Sequence, residues 1–277
     1  MKPTRDAISA QVAAALEEDL GSGDVSAELI RADRTCTARL VTRQTGVLAG
    51  TDWVDAVFEQ LSGQCRLEWQ SSNGDRVQPD QLLCTISGPA RAVLSGERTA
   101  LNFLQLLSGV ATRTAHYVSA VAGARARILD TRKTLPGLRT AQKYAVTVGG
   151  GYNHRMGLFD MIMLKENHIA AAGGIAGAIK QARARFPDIP IEVEVEHLDQ
   201  LDQALSAGPE RIMLDNFSLD DLKDAVQRAS GKAILEASGG ITLDSIGSIA
   251  ATGVDEISVG ELTKNIEPLD LTLRVVE

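Results

Sequence analysis

Between Asp130 and Arg155 the chain reads DTRKTLPGLRTAQKYAVTVGGGYNHR, five Lys or Arg against a single acid in a protein of net charge −8. Cations gathered against the overall sign of a chain serve a local purpose. Arg132, Lys133, His154, Arg155 and, further on, Lys165 suit a small anion carrying several negative groups. Each guanidinium–carboxylate contact is about 4 kcal/mol of Coulomb attraction at an effective dielectric of roughly 20 and a separation of about 4 Å, before desolvation. Acids face them. IEVEVE (191–196) alternates Glu192, Glu194 and Glu196 onto one face, where a strand buried on both sides is normally apolar. Either this is a sheet edge with a wet face, or Glu194 meets Lys165, Arg132 or a ligand. An unpaired buried carboxylate is too costly to leave alone. Asp215 ends RIMLD in the same way, and Glu194 and Asp215 could sit near a magnesium arriving on a polyphosphate substrate.

SGGIT (238–242) and SVGELT (258–263) place Gly239, Gly240 and Gly260 after strands and before helices. There, free backbone N–H groups and the helix dipole favour an anion. Glycine also serves plain tight turns, so both readings stand. Gly149-Gly150-Gly151 reads as a helix C-cap. No GxxxxGK[ST] is present, which removes a P-loop. There is no GxSxG elbow, and Cys36, Cys65 and Cys84 lie outside the charged half, so hydrolysis by a covalent nucleophile is disfavoured. His116, His154, His168 and His197 have no HExxH or paired spacing, which argues against a structural zinc.

These residues need a scaffold that converges them. From about residue 120 the pattern alternates strand and helix: ARILDT (126–131), DMIMLK (160–165), IEVEVE, RIMLD (211–215), AILEA (233–237) and EISVG (256–260), with helices expected around 138–148, 174–186, 198–207, 218–229 and 243–252. Consecutive βα units imply parallel strands and right-handed crossovers. Nearly every strand ends on a polar, charged or glycine residue, which favours a barrel mouth over a doubly wound sheet. Six units are two short of the usual eight, so the barrel is incomplete. Before it, a helix over 7–18 and the β-like runs CTARLVT, GVLAG, CRLEW and LLCTIS read as a mostly antiparallel sheet. Pro89 opens a long helix whose apolar stripe is Val93, Leu94, Leu101, Leu104 and Leu107, and whose polar stripe is Ser95, Arg98, Asn102 and Gln105. The final LDLTLRVV (269–276) alternates as a strand returning to the N-terminal sheet.

Bulk properties exclude other classes. A pI of 5.1 argues against nucleic acid or an anionic membrane as a partner. No run reaches the roughly 18 apolar residues of a membrane span. The cysteines lack CxxC spacing and read as inert hydrophobes in a reducing compartment. A soluble cytoplasmic protein is expected.

DTRKTLPGLR, KYAV followed by GGGYNHR, MGLFDMIMLKENHI, EVEVE, LDNF and EASGGI, in that order, resemble quinolinate phosphoribosyltransferases. EEDLGSGDVS matches too, with Ser26 where the family usually carries Thr. The resemblance covers essentially the whole chain. It implies an N-terminal α/β sandwich (1–110, joined by 268–277) and an incomplete α/β barrel (111–267) of about seven strands. It implies a homodimer and a reaction joining quinolinate to phosphoribosyl pyrophosphate with magnesium. Carried over by motif, Thr131, Arg132, His154 and Arg155 look like quinolinate ligands with Lys133 and Lys165 beside them. Arg98 in ERTALN would enter the neighbouring copy's site, Glu194 and Asp215 look like partners of ribose hydroxyls and metal, and Ser238, Gly239, Gly240 and Gly260 would cradle phosphate. Rivals are a relative acting on another small anion, a Schiff-base aldolase with Lys165 as nucleophile, and a binding module without catalysis. Tyr152 has no role from sequence alone.

Overall fold

The computed structural model describes residues 2–276, which form two compact units. The first comprises the chain up to Ala115, Thr134–Gly150 and the segment from Leu262 onward, and the second comprises His116–Lys133 and Gly151–Glu261. Relative to expected limits at 110/111 and 267/268, the units part at 115/116 and 261/262, and segment 134–150 also goes with the first. Its helix belongs with the first unit because Gln11 Nε2 donates to the carbonyl of Gly137 at 2.9 Å and to Thr140 Oγ1 at 3.3 Å. Gly149 also lies where a side chain would strike Ala111 backbone and Thr114.

In chain order, the first unit begins with α1 (Arg5–Leu20), capped by Thr4 Oγ1 accepting from Ala7 N at 3.2 Å. Then come β1 (Thr35–Thr42), β2 (Gly46–Val47), α2 (Thr51–Leu61), β3 (Arg66–Trp69), β4 (Arg76–Val77), β5 (Leu82–Pro89) and α3 (Ala90–Ala120). The sequence reading had no helix at α2. Its N-terminus is made by tertiary contact: Asn73 Oδ1 accepts from Gly50 N at 2.8 Å and Thr51 N at 3.2 Å. Trp53 is fully buried and its Nε1 donates to Gln11 Oε1 at 2.9 Å, joining α2 to α1. On α3, Val93, Leu101, Leu104 and Leu107 are buried as expected. Leu94, expected beside them, is instead 38% exposed. The GDVS stretch is a turn in which Asp24 Oδ1 accepts from Ser26 N and Ala27 N, and Ser95 Oγ of α3 donates to Asp24 Oδ2 at 2.7 Å.

The second unit is a parallel sheet of β6 (Arg127–Leu129), β7 (Ile162–Leu164), β8 (Ile191–Val195), β9 (Arg211–Asp215), β10 (Ile234–Ser238) and β11 (Glu256–Ser258), in the order β6-β11-β10-β9-β8-β7. The helices of this part of the chain are α4 (Arg139–Val148, in the first unit), α5 (Glu166–Ala171), α6 (Ile175–Arg185), α7 (Leu198–Ala207), α8 (Leu219–Ala229), α9 (Leu243–Ala250) and the one-turn α10 (Glu261–Lys264). Strands and helices fall within a few residues of the predicted ones, except α5, which had not been anticipated. On the free side of β6, Tyr152 forms a single parallel bridge to Leu129. Among the described residues, that lone rung is all that is formed of a seventh parallel strand. Finally β12 (Leu271–Val275) pairs antiparallel with β1, completing the sheet β12-β1-β5-β3. Among the described residues no helix is long and apolar enough to cross a membrane.

Candidate active site

Parallel register stacks the strand ends of the second unit into one mouth. Ser238 pairs with Asp215, and Val195 with Leu214, so Glu194, Asp215 and Ser238 finish neighbouring strands at similar height. They line a cavity of about 520 Å³ together with Thr131, Arg132 and Lys133 after β6, His154 and Arg155 after the Tyr152 rung, and Lys165 after β7. The remaining sites expected from sequence are placed otherwise. Gly239 and Gly240 adopt φ of 101° and 57° in the loop after β10, where a side chain at Gly239 would run into Asn216. Gly260 follows β11, and Arg98 is exposed on α3 of the first unit. A larger groove of about 620 Å³ in the first unit is lined by Ala14, Phe103 and Leu106 with the acids Glu18 and Asp19. With no cation on its walls it does not suit a polyanion.

The cations at the mouth lie close together. Burial, and after it the charge of Arg132, lowers the proton affinity of Arg155. Arg155 is steadied through Nη1 to the carbonyl of Met161 at 3.2 Å and Nη2 to Met163 Sδ at 3.5 Å. Arg132 Nε is buried without a hydrogen-bond acceptor. Two neighbouring guanidiniums, one holding an unmet buried donor, are poised for carboxylate oxygens. Lys165 Nζ donates to Glu194 Oε2, so the acid of β8 is neutralised from β7. Asp215 is set by Asn216, whose Nδ2 donates to Asp215 Oδ2 at 3.0 Å. Asn216 has φ of 56°, a left-handed conformation that asparagine tolerates, and its N–H reaches the Ser238 carbonyl at 2.9 Å.

Met163, Met213, Glu236 and Ser258 also line the cavity and were missed, as was the layer beneath. Arg211 contacts Glu192 at 3.4 Å, Glu236 at 2.9 Å and Glu256, while Arg127 also reaches Glu256. Glu192 and Glu236 are fully buried. The signal that would have found them is the strand's period of two, since each lies an even number of residues before a mouth residue and so on the same face: Glu192 two before Glu194, Glu236 two before Ser238, and Arg211 four before Asp215. Burial and the Glu236 charge push Glu192 above the ordinary carboxylate range. Burial works the same way on Glu236, but His154, Ser258 and Arg211 hold it below that range.

His154 Nε2 lies 2.9 Å from Glu192 Oε2 and 3.3 Å from Glu236 Oε2. Among the described residues this is the one cluster of three metal-ligand side chains. Nδ1 accepts the N–H of Arg155 at 2.7 Å, so the ring proton belongs on Nε2, and a protonated nitrogen is no metal ligand. Burial lowers the proton affinity of His154, but the two carboxylates outweigh it and push the pKa up to about 9. A second proton has only Nδ1 to occupy, where it would face the Arg155 N–H.

This chain matches known proteins along nearly its whole length. The family model described as quinolinate phosphoribosyl transferase, N-terminal domain, matches residues 24–108, and its C-terminal domain counterpart matches 110–274. The chain belongs to the quinolinate phosphoribosyltransferase family. It is 44% identical over 275 residues, 97% of each chain, to the nicotinate-nucleotide pyrophosphorylase (carboxylating) of Mycobacterium leprae. It is 42% identical to the probable enzyme of that name from Bacillus subtilis, over 93% of this chain and 90% of the relative. The solved structure of the nicotinate-nucleotide pyrophosphorylase from Francisella tularensis superposes with a TM-score of 0.97 at 45% identity, covering 99% of this chain and 98% of that one. Against that family, the sequence reading of fold and enzyme class stands: a mixed α/β phosphoribosyltransferase.

Proposed function

We propose that the protein joins quinolinate to phosphoribosyl pyrophosphate, releasing pyrophosphate and carbon dioxide and forming nicotinate mononucleotide for NAD biosynthesis. The observation that carries this reading is the adjacency of Arg132 and Arg155 over a cavity whose other walls hold Glu194 and Asp215. Opposed charges around one small space suit a substrate pair that is anionic at one part and becomes cationic at another.

In this reading Arg132 and Arg155, with Lys133 and Lys165, hold the two pyridine carboxylates so that the ring nitrogen faces the sugar. Departure of pyrophosphate leaves positive charge on the ribosyl carbon, which Glu194 and Asp215 stabilise. The nitrogen forms the new bond and becomes cationic. It then accepts the electron pair released when the adjacent carboxylate leaves as carbon dioxide, and a proton replaces it on that carbon. Ser238, Gly239, Gly240 and Gly260 would take phosphate oxygens on backbone N–H groups. Magnesium fits the donor set, because Glu194 and Asp215 keep carboxylate oxygens beyond those taken by Lys165 and Asn216. When bound, it would neutralise the leaving pyrophosphate. Arg98, exposed on α3, would act in the cavity of a second copy in a homodimer. Three unpaired thiols favour a cytoplasmic setting.

An aldolase is less well supported, because Lys165 is committed to Glu194 rather than lying in the apolar pocket an imine-forming lysine needs. The deciding assay supplies quinolinate, phosphoribosyl pyrophosphate and magnesium. Equal amounts of pyrophosphate and carbon dioxide are expected, with no turnover when nicotinate replaces quinolinate. Turnover of nicotinate at the same rate would overturn the reading. For the dimer, mixing inactive Arg98→Ala and Lys165→Ala proteins should restore activity through hybrid pairs, and no restoration would remove the shared site.

A further inference from the structure

Arg132 and Arg155 reach the cavity from two segments that part at Asp130. Up to that residue the segments run as a parallel ladder: Tyr152 N donates to the Ile128 carbonyl at 2.8 Å, and Asp130 N to the Tyr152 carbonyl at 3.1 Å. The next rung of such a ladder would run from His154 N to the Asp130 backbone carbonyl. Here the His154 N–H donates instead to Asp130 Oδ1 at 2.9 Å, and Asn153 Nδ2 donates to Oδ2 at 2.6 Å. The side chain has taken over the rung. The backbone after Asp130 leaves the sheet as a turn, in which Thr131 Oγ1 accepts from Lys133 N at 3.0 Å. That turn carries Arg132, and the segment bonded to the carboxylate carries Arg155. Beyond Arg155, Asp160 accepts Met156 N at 2.7 Å and Gly157 N at 2.9 Å, so aspartates hold this segment on both sides.

Asp130 is fully buried, and the cavity is lined by its neighbours Thr131, Arg132 and Lys133. It stands behind the wall rather than on it. We infer that Asp130 is a positioning residue whose carboxylate sets the register between the Arg132 turn and the Arg155 segment, and thereby the spacing of the two guanidiniums. A backbone rung would keep the segments side by side. A carboxylate, which reaches beyond its own Cα, lets them diverge and stay bonded. Guanidiniums held at one separation grip carboxylates on adjacent ring carbons, and a more widely spaced pair meets only one of them well. This rests on the phosphoribosyl-transfer reading and deepens it by naming what makes the same site selective for adjacent carboxylates.

Two unreactive probes test it by calorimetric titration. Phthalate carries adjacent carboxylates without a ring nitrogen, and isophthalate carries them one ring carbon further apart. The wild-type protein should bind phthalate at least about tenfold more tightly than isophthalate. Asp130→Ala removes both acceptors, and Asn153→Asp sets two carboxylates against each other. Each should weaken phthalate binding at least about tenfold and bring the two affinities together. Adding Asp130→Asn to Asn153→Asp gives back one donor and one acceptor, and should return both phthalate affinity and preference to within about threefold of wild type. In turnover, Asp130→Ala should raise the KM for quinolinate and leave the KM for phosphoribosyl pyrophosphate within about twofold of wild type. If Asp130→Ala does not fold, Asn153→Asp and its rescue carry the test. Unchanged preference in the variants would overturn the proposal, as would a loss that the exchanged pair does not recover, or a wild-type protein indifferent to the two isomers. A wild-type protein that prefers phthalate but releases no pyrophosphate with quinolinate would end the transferase reading and leave the role of Asp130 standing on the titrations.

Discussion

In the four-stranded sheet, β1 and β5 place Ala38 opposite Ile86 and Leu40 opposite Cys84, all buried and apolar. In the parallel sheet, the corresponding interior holds Glu192 paired in register with Arg211, and Glu236 with Glu256. The first interior is held by non-directional burial, which tolerates changes of shape if volume is kept. The second is held by charges whose removal leaves partners stranded in a dry environment. Apolar packing makes a support, and a fixed charged layer makes a template whose geometry the mouth above it inherits.

The largest test of that contrast is Arg211→Met. It keeps bulk but strands the carboxylates of Glu192, Glu236 and Glu256, and should cost about 3–5 kcal/mol in urea unfolding. A loss below 1 kcal/mol, in order-of-magnitude terms, would mean that water already compensates those acids. Next, Arg155→Lys should raise the quinolinate KM at least tenfold, about 1.4 kcal/mol, with stability little changed. Unchanged kinetics would remove Arg155 from the site. On the apolar side, Leu40→Met should cost less than about 1.5 kcal/mol of stability and leave turnover intact.

The smallest effect belongs to Glu210, at the entrance to β9. Burial opposes its ionisation, but Ile191 N at 2.8 Å and Arg183 at 2.9 Å outweigh that and lower its pKa from 4.5. A lowered folded-state pKa contributes stability above pH 4.5 that is lost as pH falls through the lower value. Glu210→Gln should therefore flatten the acid limb of a stability profile, and an unchanged limb would show the contact to be idle.

Much of the mouth was legible because its residues end strands. Lys165, Asp215 and Ser238 each follow or close a largely apolar strand, Glu194 stands in the alternation of IEVEVE, and neighbouring parallel strands bring these ends to similar height. The helix α2 was not legible, since its start depends on Asn73, distant in sequence. Nor was the layer of Glu236, Arg211 and Glu256, because each lies alone in its own strand and becomes a cluster only across the ladder. IEVEVE did announce Glu192, yet its partners lie on other strands.

Sequence by itself determined the alternation of strand and helix, the polar strand ends and the excess of cations from Arg132 to Arg155, since periodicity and composition are local properties of the chain. Only the tertiary structure decided that the seventh strand shrinks to one rung at Tyr152. It alone brought two buried carboxylates to His154 and placed Arg155 on a segment held by side chains. Those outcomes depend on distances between atoms far apart in sequence, which no local pattern encodes.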